Sequence, residues 1–88
     1  MPDADVTQLY VVRVDGAARL SKLRSSRTHD AMELAEGFFL VRSTDTQSRL
    51  YHDLKRLVQP ESLFVGKLDE RPKFKGVAAG SLKWLRDG

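Results

Sequence analysis

The chain has 88 residues, a formal net charge of +3 and no cysteine, so it can hold neither a disulfide framework nor a thiolate metal site. That length makes one domain, spanning residues 1–88, which buries only about 60% of its unfolded surface and would gain from association with a second copy. No apolar run reaches membrane-spanning length and the polar start Met1-Pro2-Asp3-Ala4-Asp5 lacks signal-peptide character, so a cytoplasmic protein with no membrane association and a flexible tail over residues 1–6 is expected.

Residues 7–14 read as the first strand, with Tyr10, Val12 and Val14 on one face and Leu9, Val11 and Arg13 on the other. It runs into Asp15-Gly16, which places a carboxylate at the strand's end, where it can cap a following helix or hold a divalent cation. From Ala17 to Thr28, leucines three apart at Leu20 and Leu23 favour a short basic amphipathic helix over a hairpin, with Arg19, Lys22, Arg24 and Arg27 off its apolar side. A solvated helix face explains these cations. Contact with nucleic acid is the second explanation, after it.

Ala31 to Ala35 and Phe38 to Ser43 read as a hairpin around Glu36-Gly37, where Gly37 supplies a positive backbone angle. Thr44 with Gln47 then suggests a capping box, with Asp45 in the first turn, Leu50, Leu54, Leu57 and Val58 as a buried stripe, and Pro60 as the stop. Leu63 to Leu68 is the fourth strand, Lys73 to Gly76 a candidate edge pairing, and Val77 to Arg86 a short terminal helix or turn whose Trp84 covers a seam. The order βαββαβ predicts an α+β, ferredoxin-like sandwich: a four-stranded antiparallel sheet with two helices on one face.

In such a fold the uncovered sheet face should be polar, yet Leu9 and Val11, Phe38 and Leu40, and Leu63 and Val65 are apolar, each pair followed by a cation two residues on. We take these six as a face that another protomer covers, the alternative being a platform on which bases stack, for which only Phe38 offers a ring. With the first and third strands taken as parallel neighbours, Arg13 and Arg42 lie at one sheet end near Asp15 as phosphate contacts. The cationic surplus supports an anionic partner: residues 41–88 carry ten Lys or Arg against six Asp or Glu, and residues 1–40 five against six. His29 and His52, far apart and without a carboxylate constellation, read as surface histidines.

An apolar first strand ending in Asp15, the hairpin Leu34 to Ser43, the helix after it, Ser62-Leu63-Phe64-Val65, and the closing Phe74-Lys75-Gly76 and Trp84-Leu85-Arg86 together resemble SinR-like proteins. These are relatives of the small ferredoxin-like CRISPR-associated nucleases that partner the spacer integrase. The resemblance implies a homodimer stacked sheet to sheet, with Asp15 of each protomer facing the dimer axis to bind Mg²⁺ for phosphodiester hydrolysis of RNA or DNA. The chain departs from the pattern in its shorter first helix and in Val14 and Gly16 beside Asp15. Leu9-Tyr10-Val11 and Gly37-Phe38-Phe39-Leu40-Val41 also echo RNA-recognition domains, but Glu36 and Leu40 replace a cation and a stacking aromatic. Two functions follow: a homodimeric metal-dependent nuclease, or a non-catalytic module whose sheet face engages nucleic acid or another protein.

Overall fold

The structure, a computed structural model, describes residues 7–16, 19–26 and 29–87. Its elements are β1 (Gln8–Asp15), α1 (Leu20–Arg24), β2 (Asp30–Ala35), β3 (Phe38–Ser43), α2 (Gln47–Val58), β4 (Ser62–Leu68) and α3 (Ser81–Asp87). The strands form one antiparallel sheet in the order β2-β3-β1-β4, so the α+β class and the four-stranded antiparallel sheet hold. The β2-β3 hairpin turns at Gly37, which has a φ of 76°.

β1 runs antiparallel to β3, with Leu9 opposite Arg42 and Arg13 opposite Phe38. This corrects the expectation of parallel neighbours: the hairpin reverses the chain between β2 and β3, so Arg13 and Arg42 stand at opposite ends of the sheet.

Tyr10, Val12 and Val14 of β1, with Phe39 and Val41 of β3, form the floor of the main core, roofed by Leu23 of α1 and Leu50, Leu54 and Val58 of α2. Each such side chain contributes about 1.5–3 kcal/mol by leaving water. The Tyr10 hydroxyl is satisfied by donating to the Asp45 carbonyl at 2.7 Å. The same bond sets the start of α2. With Ser43 Oγ accepting from the Asp45 amide at 3.0 Å, residues 43–45 are held in a bend, and the helix begins behind Thr46, whose Oγ accepts from the Arg49 amide. The N-cap is therefore Thr46, where the sequence suggested Thr44. α2 ends as expected, with Gln59 in the left-handed region and Pro60 after it.

The first helix is shorter than the stretch from Ala17 to Thr28 suggested. α1 is a five-residue turn with no side-chain cap at Arg19, anchored by one buried residue, Leu23, and by the Arg19 amide on the Val58 carbonyl at 3.1 Å. Residues 1–6, Ala17, Arg27 and Thr28 lie outside the described residues.

The other sheet face is not left to a partner in full. After Leu68 the chain crosses it without regular structure, so the edge pairing expected at Lys73 to Gly76 does not form. The Ala78 amide then bonds the Leu34 carbonyl of β2 at 2.8 Å, and α3 lies against β2. Leu34, Leu40 and Leu85 make a second small core, joined by Leu9, Val11, Met32, Phe38, Phe74, Val77 and Trp84. Apolar residues on both parities thus have a cause within the chain: its own carboxyl-terminal segment packs there.

Register also reassigns β4. Leu63 pairs with Val14 and Val65 with Val12, so both face the helices and pack on the main core, not on the side of Leu9 and Val11. Phe64, Gly66 and Leu68 take the other face. No described helix is long and apolar enough to cross a membrane.

Candidate nucleic-acid interface

Asp15 is the last residue of β1, opposite Ser62, and its carbonyl accepts from the Glu61 amide at 3.1 Å. Its carboxylate does not cap α1, whose N-cap position is Arg19 and has no side-chain bond. Instead Oδ1 lies 3.4 Å from Nη2 of Arg13, with the two side chains 57% and 61% exposed. Among the described residues no group of three or more acidic or histidine side chains converges. Glu61 is a carboxylate the sequence reading passed over: its side chain covers the Cα of Gly16, in the space a Cβ there would fill. Only the β1-β4 register brings position 61 beside positions 15 and 16.

The cations expected to contact phosphate divide into two groups. Arg42 is engaged within the fold: its Nε bonds Asp30 at 3.0 Å, its Nη2 the Trp84 carbonyl at 2.9 Å, and its guanidinium lies 3.7 Å from the centroid of the Trp84 ring. Trp84 Nε1 closes the network by donating to Asp30 at 3.1 Å. Arg24 is likewise committed, with a bidentate pair to Glu33 at 2.7 and 2.8 Å that ties α1 to β2. Arg13 and Arg19 are exposed, Arg13 in its loose contact with Asp15, and Arg27 lies outside the described residues.

Glu33 shows what its engagement costs and gives. The hydrogen bonds from Arg24 hold its carboxyl below the usual carboxylate range against the opposing effect of burial, and the Gly37 amide helps. A lowered folded pKa stabilises the fold above the unfolded value, and this contribution is lost as pH falls through the folded one. Glu33→Gln is therefore expected to lower the urea midpoint at neutral pH, with the gap from the parent narrowing as pH falls into the acid range.

What the uncovered part of the sheet offers is a row across three strands. Arg13 stands directly opposite Phe38 on β3 and directly opposite Phe64 on β4, so one face presents ring, guanidinium, ring, with Asp15 beyond Arg13. Phe64 is 59% exposed, and its ring lies over Gly66, where an added Cβ would come within 3.1 Å of it. The sequence reading assigned Phe64 to the helix side and so counted a single ring here. Two now flank a cation.

At the opposite end of the sheet an open cleft of about 1090 Å³ lies between Gln8, Asp30, Arg42, Asp45 and Arg71. Its charged walls mix both signs, and Arg42 and Asp30 are already paired. His29 sits at its rim with Nδ1 2.9 Å from Ser26 Oγ, and His52 is exposed, edge-on to Tyr51. Comparison with protein-family models, curated proteins and solved structures returns no match.

Proposed function

We propose that the chain is a cytoplasmic ferredoxin-like module that binds single-stranded RNA or DNA on the uncovered part of its sheet. The observation that carries this is the row Phe38, Arg13 and Phe64, which sets two rings on either side of an exposed guanidinium. Bases stack on the rings while the cation takes phosphate. The strand order β2-β3-β1-β4 with its βαββαβ connections supports the fold assignment.

Fluorescence anisotropy with labelled oligouridylate and oligothymidylate tests the proposal. Phe64→Ala is expected to weaken binding about tenfold, within the ~1–3 kcal/mol that one stacked base supplies. Arg13→Ala should reduce the slope of log affinity against log salt by about one, as for the loss of one phosphate contact. Equal affinity of parent and Phe64→Ala at every salt concentration would sink the proposal.

The second reading, a homodimer with Mg²⁺-dependent nuclease activity, is favoured by one observation: Asp15 stands exposed on that same face. Within one protomer Asp15 lies against Arg13, Glu61 comes beside it through the β1-β4 pairing, and no group of three metal-ligating side chains converges among the described residues, so waters and phosphate would complete the Mg²⁺ shell. The resemblance adds Asp15 of a second copy to this set. Of the face such a copy would meet, Leu40 is buried beneath Leu85, and Leu9, Val11 and Phe38 are partly covered by the chain's own small core. Asp15→Asn is expected to leave oligonucleotide binding within about twofold of the parent under the module reading, because only a rim charge changes. Mg²⁺-dependent cleavage by the parent that Asp15→Asn abolishes, together with a dimeric mass in solution, would instead establish the nuclease.

A further inference from the structure

The segment after β4, residues 69–87, is attached to the rest of the molecule differently from the other elements. Between Leu68 and Ser81 it has no regular structure, and it bends through Gly76 and Gly80, both at positive φ. Its only helix, α3, is seven residues long, too short to persist without the sheet beneath it. What holds it is a small apolar core, in which Leu85 and the partly buried Phe74, Val77 and Trp84 pack on Leu34, Leu40 and their neighbours, one backbone bond from Ala78 to Leu34, and the polar network of Asp30, Arg42 and Trp84. The Asp30 side chain is 58% exposed, so solvent reaches the network. A segment with few buried contacts and a solvent-accessible tether opens before the main core does.

The surface it covers is continuous with the row proposed above to take nucleic acid. Phe38 belongs to that row and also packs on the small core under the segment, and Val11 and Leu9 lead along β1 beneath it. We propose that residues 69–87 are a strap that opens as a unit, that the Asp30, Arg42 and Trp84 network is its latch, and that closure limits the length of single strand the sheet can accept. The limit on strand length rests on the nucleic-acid reading. The opening does not.

Two measurements on the full chain separate these parts. In native-state hydrogen exchange, amides of residues 81–87 should exchange at least about tenfold faster than those of α2, and Asp30→Ala should speed them about tenfold more with α2 unchanged. Asp30→Asn, which keeps the side chain's shape, should shift the same amides in the same direction. Exchange of 81–87 at the rate of α2 in all three proteins overturns the strap.

Oligouridylate and oligothymidylate affinity supplies the second test, with Asp53→Ala as the control, since it removes an equally negative side chain from an exposed pair on α2. Asp30→Ala should bind at least about threefold tighter than Asp53→Ala. Equal affinity of the two variants overturns the gating. Failure of every protein to bind overturns the nucleic-acid reading and the gating with it, while the strap stands or falls on exchange.

Discussion

Phe39→Ala is expected to destabilise the fold by about 3–5 kcal/mol, the range for truncating a fully buried aromatic ring. Phe39 is 1% exposed and lies in the floor of the main core with Val12 opposite it on β1. A domain of this size has roughly 5–15 kcal/mol in total, so one substitution removes much of its margin. The comparison with its neighbour is the sharper test. Phe38 is one residue away on the opposite face, only partly buried, and its truncation should cost far less stability while weakening oligonucleotide binding. Chemical denaturation followed by far-ultraviolet circular dichroism reads the first effect, and anisotropy reads the second. If both variants lost stability equally, the assignment of the two rings to opposite faces would be wrong.

Gly37→Ala should cost at least about 3 kcal/mol, combining a left-handed backbone penalty of about 1–2 kcal/mol with a collision that only backbone movement can relieve. At a φ of 76° an added Cβ would run into the carbonyl oxygen of Val14, and no flexible side chain is there to give way. The same residue accepts a 2.7 Å bond at its carbonyl from the Val14 amide and donates at its own amide to Glu33. Moving the loop to relieve the clash would disturb both. Gly16→Ala makes the control: it also has positive φ, but the group in the way is the flexible Glu61 side chain. It should therefore be the milder substitution by about 1 kcal/mol or more in the same denaturation experiment. Equal losses would place the penalty in φ alone.

The parts of the fold legible in the sequence are those governed by a local signal. Glu36-Gly37 marks the hairpin because only glycine suits its backbone angle, and Leu50, Leu54 and Val58 mark α2 by their spacing, with Pro60 closing it. The β4 parity was not legible, because Leu63, Phe64 and Val65 are all apolar and alternation carries no information when both parities are apolar. Pairing with β1 alone separates them. Arg42 looked free for the same kind of reason: its partners Asp30 and Trp84 lie 12 and 42 residues away in the chain, beyond the reach of any spacing rule. Asp15 was placed correctly at a strand end, and of the two readings open to it in isolation the helix cap does not hold, since α1 has Arg19 at its N-cap and Asp15 contacts Arg13.

Trp84, the single tryptophan of the chain, stacks under Arg42 at the carboxyl-terminal end. Its emission therefore reports on that guanidinium and on the small core of Leu34, Leu40 and Leu85 against which it packs, and less on Phe39 or Leu54 in the main core. A fluorescence-monitored denaturation curve of this protein measures the release of residues 69–87, while circular dichroism measures loss of the sheet and of α2. Under the strap proposal the two curves separate, and a dye-free binding assay based on tryptophan emission responds to the strap before it responds to a base stacked on Phe64.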